Sequence, residues 1–261
     1  MMCLTRRLFL TLLLLFPSVY TPAAAAQDVP TVAAAASIQY ALEEIAAAYE
    51  RDTGAKVRLV FGSSGNLSRQ IVQGAPFHLF MSADEHFVYD LRKRGAAVDE
   101  GVVYAVGRVA LFVPKGSAIE ADAQLADLAR AIDDGRLRKF AMANPEHAPY
   151  GVAAQEVLEH KGLWTELRGR TVMGESISQA AQYVASGSAQ AGLIALSLAT
   201  QPNFRRAGSY VLLPEAWHTP LRQRMVVLKR GGESARNFYD YLQQPAAQAI
   251  FKKHGFETGE P

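Results

Sequence analysis

The chain is expected to fold as two α/β lobes around a cleft, and three features predict it. Short apolar runs alternate with helically patterned segments along almost the whole length, which indicates an α/β fold with much parallel sheet. The run "VVYAVGRVALFVP" (Val102–Pro114) is too extended for one strand of a small sheet, and Gly107 near its middle suggests a strand that crosses between lobes. A second extended region, "SYVLLPEAWHTPLRQRMVVLKRG" (Ser209–Gly231), would carry the chain back. Two crossings imply two lobes.

The elements follow in order. Residues 1–26 read as a cleaved export signal. Arg6 and Arg7 precede the apolar core "LFLTLLLLF", and the small-residue run Ala23–Ala26 offers a cleavage site. That core is too short to span a membrane. "TVAAAA" then reads as a strand and "IQYALEEIAAAYERDTG" as a helix with apolar residues at helical spacing. "KVRLVF" is a strand, "NLSRQIVQG" a short helix, "HLFMSA" a strand, and "DEHFVYDLRKRG" a helix with acids first and bases last, as the macrodipole prefers. Beyond the first crossing, "LRKFAMANP", "RTVMG" and "AGLIALS" supply strands between the helices "GVAAQEVLEHKG" and "ISQAAQYVASG". The end, "SARNFYDYLQQPAAQAIFKKHGF", reads as two helices broken at Pro245 and packed on the first lobe. The lobes are thus expected at 27–105 and 106–215, with 216–261 returning to the first.

Composition narrows the function. Without the signal the 261-residue chain keeps 235 residues, and removing Arg6 and Arg7 from 27 basic residues leaves 25, equal to the acidic count. A nucleic-acid binder would show a basic excess, so no nucleic-acid partner is expected. The single cysteine, Cys3, lies in the signal, which leaves the exported protein with no disulfide, thiol nucleophile or cysteine metal site. A soluble, extracytoplasmic protein is expected. The six histidines are scattered without metal-ligand spacing, "GSSG" lacks the spacing of a nucleophile elbow, and no phosphate-loop motif is present. No enzyme, catalytic residue or cofactor is expected. His147 stands near a loop of interest, where "PEH" reads equally well as a solvated turn.

Four strand-to-helix junctions share one chemistry. In "AAAASIQ", Ser37 is placed at the N-cap with Ile38 opening the helix. In "FGSSGNL", Ser63 or Ser64 caps the next. In "NPEHAPYGVAA", Pro149-Tyr150-Gly151 leads into a helix, and in "MGESISQAA", Ser176 and Ile177 begin another. Each presents free N–H groups backed by the positive end of a helix, and in open α/β sheets such junctions gather where ligands bind. A lone serine there is most simply a cap. Four such junctions with no lysine or arginine immediately at them describe an anion site built from neutral donors.

Together with "GSSGNLSRQIVQGAPFHLFMSAD", "ANPEHAPYGVAAQEVL", "MGESISQAAQYVASGSAQAGLIALS" and "FYDYLQQPAAQAIFKKHGF", these junctions make the mature chain resemble the ModA family of periplasmic molybdate-binding proteins over essentially its whole length. The resemblance implies a type II periplasmic-binding fold that closes on molybdate or tungstate and docks, as a monomer, on the membrane permease of an ABC importer. It implies ligand contacts from Ser37, Ser64, Tyr150 and the backbone N–H of Ile177, with molybdenum present only as the oxyanion. One position departs from the family. Many members carry a ligand tyrosine in the strand matching "GLIALS", where this chain has Ala195, and Tyr150 in "APYG" is expected to take over that bond. Whether Ser63 or the Ile38 backbone adds contacts stays open. Another tetrahedral oxyanion, sulfate or thiosulfate, is the alternative ligand.

Overall fold

The computed structural model describes residues 29–257, so the predicted export signal lies outside the described residues. The chain runs through β1 (Thr31–Ala35), α1 (Gln39–Thr53), β2 (Arg58–Gly62), α2 (Ser64–Val72), β3 (Leu79–Met81), α3 (His86–Lys93) and β4 (Val102–Gly107). It continues with β5 (Val109–Pro114), α4 (Ala126–Asp133), β6 (Phe140–Ala143), α5 (Pro149–His160), α6 (Trp164–Leu167), β7 (Thr171–Gly174), α7 (Ile177–Ala185), β8 (Ala191–Ala195), α8 (Leu196–Ala199), α9 (Pro202–Ala207) and β9 (Gly208–Leu212). It ends with β10 (Leu221–Val227), α10 (Glu233–Leu242) and α11 (Pro245–Lys253).

These strands form two five-stranded sheets, ordered β2-β1-β3-β10-β4 and β7-β6-β8-β5-β9. Each sheet is the floor of one lobe. The run Val102–Pro114 is split between them, with β4 in the first sheet, β5 in the second and Arg108 as the residue between. A methyl group on Gly107 would collide with the Tyr150 hydroxyl and the Gln223 amide, so a glycine stands where the crossing passes the cleft. The sheets are mixed rather than mainly parallel. β1 pairs in parallel with β2 and β3, and β6 with β7 and β8, but β10 and β5 pair antiparallel with both their neighbours. The reason is the connectivity: each is the strand that enters its sheet from the other lobe.

Period-two alternation decides what each face of the first sheet holds. Val32 and Ala34 of β1 join a core with Leu42 and Ile45 of α1, Phe238 of α10 and Phe251 of α11. Ala33 faces the other way, toward Leu67, Ile71, Phe80 and Leu91 under α2 and α3. Both C-terminal helices thus belong to the first sheet, and Pro245 opens α11 where a missing N–H costs nothing. The second sheet has its own core, centred on Leu111 and Phe112 of β5 and Leu193 and Ile194 of β8. Among the described residues no helix is long and apolar enough to cross a membrane.

Phe112 is fully buried, with its ring edge-on to Phe204 at 6.1 Å. Phe112→Ala is therefore expected to lower stability by about 3–5 kcal/mol in urea unfolding; a loss under ~1 kcal/mol would mean that this core repacks around the gap.

Candidate functional site

Four helix N-termini, two from each lobe, meet at one small cavity. Its walls are Ala35, Ala36, Ser37, Gly62, Ser63, Ser64 and Ala83 from the first lobe and Ala148, Pro149, Tyr150 and Ile177 from the second. All four residues singled out in the sequence line it. No charged side chain does. The cavity volume is about 10 Å³, close to what a single water needs, which suits a small ion better than an organic metabolite.

Ser37 does not sit where the sequence suggested. The segment Ala36–Ile38 is a 3-10 turn, α1 begins only at Gln39, and Ile38 is at the capping position. Relieved of any capping role, the Ser37 hydroxyl is buried and has no hydrogen-bond partner among the described residues. Leaving such a group unsatisfied costs about 1–3 kcal/mol, so its position in the cavity wall suits it to donate to an acceptor that enters there.

Neither serine of "GSSG" makes a side-chain cap. Ser63 is at the capping position of α2, but its Oγ lies 3.1 Å from His147 Nδ1 across the cleft. Ser64 opens the helix, fully buried, and its Oγ accepts the Ala83 N–H at 2.9 Å. That bond occupies a lone pair and leaves the hydroxyl proton for another acceptor. His147 is buried and bonded, not a solvated turn. Asp84, next to Ala83, accepts from Ser82 Oγ and the Phe87 N–H, and burial raises its pKa.

Tyr150 and Ile177 come from the opposite lobe. Pro149 starts α5 at its first position, which places Tyr150 in the opening turn. The Tyr150 hydroxyl accepts from Gln223 Nε2 at 3.3 Å, and Gln223 Oε1 accepts from Tyr104 at 2.8 Å. This chain of bonds again leaves a hydroxyl proton free, now on Tyr150. Burial pushes the Tyr150 phenol well above its ordinary pKa, against smaller opposing influences of the Gln223 amide that donates to it and of the neighbouring Ser37 hydroxyl, which does not meet it in hydrogen-bond geometry, so it stays a neutral donor. Ser176 is a true cap, accepting the Gln179 N–H at 3.3 Å, and Ile177 is the first residue of α7, where the N–H has no helical acceptor. Ala195 is buried in β8 and is not part of the wall.

The lobes are in contact around this cavity. Ser178 Oγ donates to Ala36 O at 3.1 Å, Ser197 Oγ to Ser37 O at 2.7 Å, and the Gly65 N–H to His147 O at 2.9 Å. Gln223, Ser178 and Ser197 were not legible as site residues, and His147 only as a neighbour of the third loop. Gln223 left a trace, as an amide inside the apolar run "LRQRMVV".

Comparison with known proteins gives this arrangement its class. Residues 30–257 match the family model described as bacterial extracellular solute-binding protein, a class of binding proteins and not enzymes. The chain is 36% identical over 262 residues to the molybdate-binding protein ModA of Rhodobacter capsulatus, covering 97% of each. It is 35% identical over 228 residues to ModA of Azotobacter vinelandii, covering 86% of this chain and 88% of that one. The solved structure of the Azotobacter vinelandii periplasmic molybdate-binding protein superposes with a TM-score of 0.80 at 32% identity, over 88% of this chain and all of that one. The chain belongs to the ModA family of solute-binding proteins.

In an alkaline absorbance titration, Tyr150→Phe is expected to match the wild type up to about pH 11, because a buried phenol does not ionise at the ordinary ~10. A step near pH 10 lost in the variant would place the Tyr150 hydroxyl in water.

Proposed function

We propose that the protein captures molybdate, and tungstate with it, in the cavity between its lobes and delivers it to the membrane permease of an ABC importer. The observation that carries this reading is the buried, unpartnered Ser37 hydroxyl in a small wall that offers donors and no charge. In this reading Ser37 and Ser64 bind the anion from one lobe, Tyr150 and the Ile177 N–H from the other. The first lobe is 27–105 with 216–261, and the second is 106–215. The protein works as a monomer in the periplasm after cleavage near Ala26.

Molybdate suits this donor set. It is fully ionised at neutral pH, so it has no proton to give and needs no carboxylate acceptor. Hydrogen bonds to a charged group contribute about 1.5–3 kcal/mol each, so several can offset lost hydration and reach micromolar affinity, about −8 kcal/mol. The four helix N-termini add their positive ends. Because the anion touches both lobes only when they are together, it shifts the protein toward the closed form.

Isothermal titration of the mature, dialysed protein with molybdate, tungstate, sulfate and phosphate tests the reading. Tight one-to-one binding of the first two, with no heat from the others, is expected. Equal binding of sulfate would keep the fold and overturn the assigned ligand. Ser37→Ala is expected to weaken molybdate binding roughly 10- to 150-fold, the equivalent of one charged hydrogen bond, without lowering the melting temperature of the ligand-free protein. Wild-type affinity in that variant would remove Ser37 from the site.

A further inference from the structure

Neutral donors do not by themselves distinguish one tetrahedral dianion from another, so on the reading above the separation of the lobes must do so. The place where backbone meets backbone across the cleft is beside the cavity. Gly65, the second residue of α2, donates its N–H to the His147 carbonyl at 2.9 Å. A methyl group on Gly65 would stand 2.7 Å from that carbonyl oxygen and 2.9 Å from both His147 Cα and Cβ. The backbone conformation does not ask for a glycine here. Gly65 is helical, without a positive φ, and alanine is the better helix former. The three atoms nearest the added methyl all belong to His147, so it is the approach of the other lobe that the glycine accommodates.

His147 is itself held. Its ring lies between Ser63 Oγ at 3.1 Å and Glu175 Oε2 at 3.2 Å, and Asn66 Nδ2 reaches the same Glu175 oxygen at 3.5 Å. Side chains can shift rotamer under load, whereas two backbones already in contact cannot move closer. The contact is one residue from Ser64 and three from Tyr150, so the two segments that touch are those that present donors from opposite lobes.

We propose that Gly65 and His147 form the closure stop that fixes the width of the anion cage. The stop rests on molybdate capture as the function and adds what sets the fit. A smaller anion such as sulfate would need the lobes to come closer than this contact permits, and it would be left short of the donors on one side.

The test is a graded series titrated with molybdate, with thermal unfolding of each ligand-free protein: wild type, Gly65→Ala, Gly65→Leu and His147→Ala. Affinity is expected to fall about tenfold or more in Gly65→Ala and further in Gly65→Leu, while the ligand-free melting temperatures hold or rise. His147→Ala keeps the backbone contact and is expected to lose less than Gly65→Ala. Wild-type affinity in Gly65→Ala, or affinity that does not fall with side-chain size, overturns the stop. A sharp drop in ligand-free melting temperature also overturns it, because Gly65 would then be needed within its own lobe. Failure of the wild type to bind molybdate is a separate result, and it removes the proposed function along with the stop.

Discussion

An anion carried out of water must have its charge met by hydrogen bonds, and a cleft protein can meet it from two sides only if donors on separate lobes reach one point. That requirement organises this molecule. Each lobe contributes two helix N-termini to a cavity walled by small and hydroxyl-bearing residues, from Ala35–Ser37 and Gly62–Ser64 on one side to Ala148–Tyr150 and Ile177 on the other. Two of the strands behind them, β1 and β6, are short and buried throughout, with alanine at Ala33–Ala35 and Ala141, so these strands bring their helix starts close without side-chain bulk in the way.

The donors are prepared by the protein around them. Ala83 N–H occupies Ser64 Oγ, and Gln223, itself held by Tyr104, occupies the Tyr150 oxygen. Both hydroxyls are thereby oriented as donors before any ligand arrives, which reduces the reorganisation that binding must drive. Ser37 is the group left without a partner. The lobe contacts work in the same sense, since Ser178 and Ser197 spend their hydroxyls on the carbonyls of Ala36 and Ser37 and keep those acceptors away from an anion.

How much of this could be read in the sequence depends on whether the cause was local. Strands such as Leu79–Met81 and helices such as Gln39–Thr53 announce themselves through apolar spacing, and the four junctions through serine, glycine and proline at helix starts. The region from 115 to 136 was not legible. Its helix α4 is entered through Leu125 in a left-handed conformation, and its first N–H groups, of Ala126 and Asp127, are taken up by the Asp122 carboxylate from outside the usual capping position. Helices α6, α8 and α9 are too short for a helical period to show. The antiparallel halves of both sheets follow from which strand crosses, a tertiary fact. The misplacement of Ser37 as a cap has the same origin, because a 3-10 turn before α1 leaves the residue types unchanged and moves the hydroxyl from the helix to the cavity. His147 and Gln223 acquire their roles only when the lobes meet, and no spacing in the chain predicts that.

The most direct measurement is a crystal structure of the mature protein grown with molybdate, with the molybdenum located by its anomalous signal. The account predicts one anion in this cavity, accepting from the Ser37, Ser64 and Tyr150 hydroxyls and the Ile177 N–H, with Gly65 still against His147. An anion held elsewhere, or by donors of one lobe alone, would contradict it.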